Sequence, residues 1–198
     1  FRSRLAKQTA AVSHNHPEAI KGAQAVAASI FIALHWTGEI DELKVHIRDF
    51  VTNQFEYNMN RTLNEIRPRY EFDVSCQGSV PEAIIAFLEA DSYEDAIRNA
   101  VSLGGDADTQ GAIAGAIAAC VYPIPEYIIK ECQKRLSDDL LKVVIRFEDY
   151  LDNEWQNKIS LPCSCLQPKR ETVEPEKYVD IIRDNIDLIH KSIKIAVV

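Results

Sequence analysis

Apolar residues recur at helical spacing in segment after segment of this chain, and few stretches alternate in the period-two manner of a half-buried strand. That pattern restricts the fold to helix packed on helix, an essentially all-α domain. From Glu18 to His35 an Ala-rich run places Ile20, Ala23, Ala27, Ile30, Phe31 and Leu34 on one side. It reads as a buried helix opened by His16-Pro17-Glu18, with Pro tolerated in the first turn and Glu favourable near the positive dipole end, and stopped by Gly38. Ile40 to Phe55 repeats the pattern with a charged second face, as a surface helix does. Pro81 to Glu89 and Ser92 to Ser102 read as further helices with Ser79 and Ser92 as N-caps. Between Gln110 and Val121, Gly111, Ala112, Gly115, Ala116 and Ala119 form a small-residue face suited to close helix packing. Pro125 to Leu136 and Asp138 to Trp155 complete the series.

The connections are less regular. Asn58 to Ser79 loses the helical period, carries Pro68 and reads as a long connection, with Tyr57, Tyr70 and Phe72 expected to anchor it. Ser160 to Pro175, with Pro162, Pro168 and Pro175, reads as a linker before a last helix striped by Val179, Ile182, Ile186, Ile189 and Ile193, expected to dock on the chain's own core. With 198 residues, 46% hydrophobic and 26% charged, the chain supports one sizeable core. The expected division is a helical domain over 1–158 and a linker with amphipathic helix over 159–198.

A formal charge of -8 argues against a general binder of nucleic-acid backbones. No apolar run approaches the roughly 20 residues of a membrane span, since Gln24 and Ser29 interrupt the best candidate, and no signal peptide is visible. Cys76, Cys120, Cys132, Cys163 and Cys165 lack paired zinc spacing, and an odd number does not make a closed disulfide framework, so a reducing, cytoplasmic setting is expected.

Chemistry concentrates in Gly104-Gly105-Asp106-Ala107-Asp108-Thr109. A tight turn here aims two carboxylates and a hydroxyl at one point, a hard-oxygen set suited to Mg²⁺ or Mn²⁺, and the glycines permit the dihedrals it needs. The same residues also read as a helix N-terminus, in which Asp or Thr caps the free amides of the segment from Gln110 onward. The two readings are compatible, because a metal site can be built on a capped helix start.

Three separated stretches resemble one family, the ADP-ribosylglycohydrolases. They are Ser13-His14-Asn15-His16-Pro17-Glu18; Arg67-Pro68 with Phe72-Asp73-Val74-Ser75-Cys76-Gln77-Gly78-Ser79-Val80-Pro81-Glu82-Ala83; and Ser102-Leu103-Gly104-Gly105-Asp106-Ala107-Asp108-Thr109. They follow the family's order over roughly residues 4 to 150.

The resemblance implies an all-α, compact orthogonal helical bundle, here partial, with a dinuclear Mg²⁺ or Mn²⁺ site in a cleft. It implies hydrolysis of the glycosidic bond between ADP-ribose and an acceptor such as a protein side chain. Carried over by motif, Asp106, Asp108 and Thr109 are metal ligands, and His14, Ser75, Gln77 and Gly105 are substrate-binding. His16 is expected to be structural, Cys76 is not expected to be a nucleophile, and no residue is assigned as general acid or base. The family's Thr-Asp-Asp metal motif, its N-terminal Gly-Asp segment and its Gly-Asn-Gly segment do not occur here. The expected partners are therefore ADP-ribose or an ADP-ribosylated substrate and a missing N-terminal segment of the same fold. A catalytically degenerate ADP-ribose-binding protein, or a structural or regulatory homologue, is the alternative.

Overall fold

Helices account for all the regular structure of residues 2–158, the part of the chain that the computed structural model describes, and no strand occurs among them. In chain order they are α1 (Arg2–Ala10), α2 (Pro17–Leu34), α3 (Ile40–Phe55), α4 (Leu63–Ile66), α5 (Cys76–Leu88), α6 (Tyr93–Val101), α7 (Ala107–Ala118), α8 (Glu126–Arg135) and α9 (Asp138–Lys158). The all-α class read from the hydrophobic period is therefore correct. Among the described residues, 2–123 make one unit with α1 to α7, and 124–158 belong to a second with α8 and α9.

In the first unit α2 begins where Pro17 predicts, and the His16 Nδ1 accepts the Glu18 amide at 3.2 Å as its N-cap. The stop comes at His35, before Gly38. α3 matches its expected bounds, and its Leu43, Ile47 and Val51 are fully buried. They share the core with Ile84, Ile85 and Phe87 of α5, Ile117 of α7, and Met59 and Leu63 from the connection.

Several expectations need correction. α1 was not foreseen, because only Leu5 and Ala6 mark its buried side. The connection from Asn58 holds α4, opened by a capping box in which the Thr62 hydroxyl accepts the Glu65 amide and the Glu65 carboxylate accepts the Thr62 amide at 2.8 Å. α5 starts at Cys76 rather than Pro81, with Ser75 as the N-cap in place of Ser79. Pro81 therefore lies inside the helix, where it cannot donate to the carbonyl of Gln77. α7 begins at Ala107 rather than Gln110. Its packed side runs through Gly111, Ala114, Gly115 and Ala118, while Ala112 and Ala119 are exposed. A β-carbon at Gly115 would meet the Ile97 Cδ1 of α6 at 2.7 Å, so any larger residue there would have to displace the end of that side chain.

In the second unit α8 and α9 fall on their expected segments. Pairs one turn apart, Glu126 with Lys130 at 2.7 Å and Glu131 with Arg135 at 2.7 Å, support α8 along its exposed surface. No helix among the described residues is long and apolar enough to cross a membrane. The linker and last helix expected over 159–198 lie outside the described residues.

Candidate ligand and metal site

The entrance to α5 is built by local polar chemistry. Asp73 Oδ1 accepts the Ser75 amide at 2.7 Å, and hydrogen bonding from Ser75 holds the Asp73 carboxyl below its ordinary range. The Ser75 hydroxyl in turn accepts the Gly78 amide at 3.2 Å. The first turn of a helix leaves amides without intrahelical partners and carries the positive end of the dipole, a setting that favours anionic oxygen. The first turns of α2 pack beside this entrance, since a β-carbon at Gly22 would sit 3.0 Å from the Cys76 Cβ. Burial and then the Glu18 carboxylate push the Cys76 thiol up, so it is held protonated and unsuited to nucleophilic work.

The acidic turn opens α7. Gly104 has φ of 79°, the left-handed region that favours glycine. Gly105 lies so close to the Tyr70 ring that a β-carbon there would overlap it. Asp106 occupies the N-cap position with φ of -71° and ψ of 73°, yet its side chain makes no capping hydrogen bond. Two residues on, the Asp108 Oδ1 accepts the Thr109 amide at 3.0 Å. Hydrogen bonding with the Asp106 side chain, followed by the backbone amides of Thr109 and Asp108, holds the Asp108 carboxyl below its usual range. Two carboxylates brought together at a helix start repel unless a proton or cation lies between them.

These donors are hard oxygens, and in chemical type they fit Mg²⁺ or Mn²⁺. In number they are a partial set. No group of three or more His, Cys, Asp or Glu capable of holding a metal ion occurs among the described residues.

Tyr70 connects the two elements. Its hydroxyl donates to the Gly78 carbonyl of α5 at 2.7 Å and accepts from the Gln110 Nε2 of α7 at 2.6 Å. Burial, then the carboxylates of Glu82, Asp73 and Asp106, push the phenol up to about 12 against a smaller opposing effect of Gln110. Three residues earlier in the chain, the Arg67 Nε donates to the Ser102 Oγ at 3.0 Å and its Nη2 to the Asn99 Oδ1 at 3.4 Å, fixing the end of α6 that leads into the turn. Neither Tyr70 nor Gln110 was singled out for the site from sequence. Gln110 carried a readable signal, being a large polar residue among small apolar ones just past the acidic turn.

Ser75, Gly105, Asp106 and Asp108 are thus brought to neighbouring helix entrances joined through Tyr70, with Gln77 exposed in the first turn of α5 and Thr109 exposed in that of α7. His14 is not tied to them. It is exposed in the turn before α2, with its Nδ1 2.9 Å from the Ser13 hydroxyl. The structural role expected of His16 is real, because it caps α2. Phe72, expected to anchor the connection, is instead 71% exposed.

The family model described as ADP-ribosylglycohydrolase matches residues 2–158. The ADP-ribosylarginine hydrolase Tri1 of Pseudomonas putida (strain GB-1) is 26% identical over 123 residues, 60% of this chain and 33% of that protein. The chain thus spans about a third of the length of the curated relative it matches. No solved structure matches it significantly. The family match over most of the chain agrees with the ordered motifs and the all-α architecture: this chain belongs to the ADP-ribosylglycohydrolase family.

Proposed function

We propose that this chain contributes to metal-dependent hydrolysis of the bond between the anomeric carbon of ADP-ribose and an acceptor. The observation that carries the reading is that Asp106, at the N-cap position of α7, does not use its carboxylate for capping, two residues before the carboxylate of Asp108. Asp106, Asp108 and Thr109 are the proposed holders of Mg²⁺ or Mn²⁺, as part of a site whose remaining ligands lie elsewhere. A bound divalent ion would supply Lewis acidity and a template for the ribose hydroxyls and water.

The chain's own residues do the rest in this reading. The first-turn amides of α5, with Ser75 and Gln77, take the diphosphate or ribose oxygens, and His14 contributes a further polar contact. Gly105 is the proposed backbone contact to the ligand in the turn, its own side-chain space being filled by the Tyr70 ring. Water supplies the new bond to the anomeric carbon, the bond to the acceptor breaks, and the acceptor leaves with a proton, through charge build-up that the site must stabilise. The name of the Pseudomonas relative favours an arginine acceptor, hence a C–N bond. We assign residues 1–158 to the helical domain, 159–198 to a linker and docking helix, and the protein to a reducing cytoplasm.

A second reading, a homologue that binds ADP-ribose without turnover, is favoured by the size of the donor set, two carboxylates and a hydroxyl in the acidic turn. Calorimetry with Mn²⁺ and release of ADP-ribose from ADP-ribosylated arginine separate them. In the first reading Asp106→Ala and Asp108→Ala each weaken Mn²⁺ binding by roughly tenfold or more and abolish release. In the second, ADP-ribose binds and nothing is released. Mn²⁺ affinity unchanged in both variants removes the metal assignment.

A further inference from the structure

We infer that the Tyr70 hydroxyl is a positioning group, which holds the acidic turn of α7 at a fixed separation from the entrance of α5 by bonding Gly78 and Gln110 together. The inference rests on the proposed function in one respect, that both entrances serve one ligand.

The geometry leaves little freedom in how the bonds are made. A phenol has one proton, and it goes to the Gly78 carbonyl at 2.7 Å. Gln110 must then approach the oxygen with its amino group, at 2.6 Å. The carboxamide oxygen is left over. Gln110 has no exposed surface, and its Oε1 is buried without a hydrogen-bond partner. An unsatisfied buried acceptor is costly, and an apolar side chain of similar volume would avoid the cost. What Gln110 adds in return is a directed bond to Tyr70, just one turn beyond Asp106.

The ring completes the arrangement. It lies against Gly105, so the phenol touches the acidic turn on the side facing α5. Glu82, one helical turn after Gly78 on α5, brings a carboxylate to the same neighbourhood, as do Asp73 and Asp106. Tyr122 provides an internal comparison, since its hydroxyl makes the same kind of bond, to the Ala90 carbonyl at 2.9 Å, but bridges to no turn bearing candidate ligands.

Amide hydrogen exchange on this chain, with Tyr70→Phe, Gln110→Leu and Tyr122→Phe, tests the role without any ligand. Tyr70→Phe keeps the ring and loses both bonds. The expected result is exchange about tenfold faster at Gly78, Ser79 and Gln110 together, the scale of losing two hydrogen bonds of ordinary net strength, with α3 unaffected. Tyr122→Phe is expected to leave those amides unchanged. Gln110→Leu is expected to accelerate exchange in the acidic turn and at Gly111 while sparing Gly78 and Ser79. Unchanged exchange in Tyr70→Phe, acceleration at one entrance only, or general acceleration that includes α3 would each overturn the proposal. Should Tyr70→Phe fail to fold, Gln110→Leu decides it by whether the acidic turn alone loosens. A second readout is Mn²⁺ affinity, expected to fall about tenfold in Tyr70→Phe at a melting temperature matching Tyr122→Phe. Absence of Mn²⁺ binding by the unaltered chain would count against the proposed function and leave the exchange result to judge the bridge.

Discussion

The Arg61 guanidinium meets the Glu82 carboxylate at 2.6 Å, and of the two carboxylate oxygens only Oε1 is paired, while Oε2 is buried without a partner. Arg61 arrives from the connection before α4, and Glu82 lies on the most buried helix of the first unit. The pair therefore ties that connection to α5, about two helical turns after its N-cap. Removing one member of such a pair leaves an uncompensated charge. Arg61→Met is expected to destabilise the fold by about 3 kcal/mol, near the low end for a buried pair because the Arg61 side chain is 33% exposed. Replacing both, Arg61→Met with Glu82→Leu, is expected to recover most of that loss. Urea unfolding of the single and double variants checks it; a double variant as unstable as the single one contradicts the assignment.

The two glycines of the acidic turn are required for different reasons, and a double variant tells them apart. Gly104 has φ of 79° and open space around its α-carbon, so Gly104→Ala is expected to cost about 1–2 kcal/mol in backbone strain. Gly105→Ala places a methyl group against the Tyr70 ring, an overpacking expected to cost about 1–3 kcal/mol. Adding Tyr70→Ala should relieve the second substitution and leave the first as harmful as before. Equal responses of both glycine variants to Tyr70→Ala would show that the ring does not set the limit at Gly105.

How far the sequence revealed this molecule depends on which force shapes each part. α2 and α3 were legible because their apolar period is long and their starts carry Pro17 and an acidic first turn. Pro81 hides the early start of α5, because proline ordinarily marks a first turn but here sits in the helix body, and the local pattern therefore points to Ser79 although Ser75 is the cap. α4 depends on a four-residue capping box too short to show a period. At the site, Asp106, Asp108 and Gly105 stood out through local composition. Tyr70 and Gln110 did not, because their bond spans 40 residues of sequence and depends on the α5·α7 packing that no local pattern encodes.

The corrected helix start has a measurable consequence. Ser75 Oγ satisfies the Gly78 amide, so Ser75→Ala is expected to cost about 1 kcal/mol, the ordinary price of a lost N-cap. Ser79 donates to the carbonyl four residues back within the helix at 2.8 Å, a bond that replaces nothing the backbone needs. Ser79→Ala is expected to change stability by less than about 0.5 kcal/mol. Denaturant midpoints for the two variants provide the check, and the reverse order would restore Ser79 as the cap.

Stability above neutral pH should fall through groups whose buried forms resist ionisation. Burial pushes the Cys120 thiol from an ordinary value near 9 up to about 12, and Tyr70 likewise from 10 up to about 12. In both cases the folded pKa is the higher one. Their stabilising contribution is therefore complete below the unfolded pKa and is lost as pH rises through the folded one, from about 9 for Cys120 and about 10 for Tyr70. Tyr57 and Cys76, also raised chiefly by burial, add to the same decline. Unfolding free energies measured from pH 7 to pH 11 should be flat at first and then fall. Cys120→Ala should lessen the fall that begins near pH 9, and Tyr70→Phe the part that begins near pH 10. A mass-resolved alkylation experiment reads the same physics at one site: at pH 8.5 the exposed Cys132 reacts rapidly, whereas Cys120, whose thiol donates to the Ala116 carbonyl at 3.2 Å, reacts only as the fold opens. Equal rates at Cys120 and Cys132 in the folded chain would mean that burial does not protect the thiol, and the early part of the pH decline would need another origin.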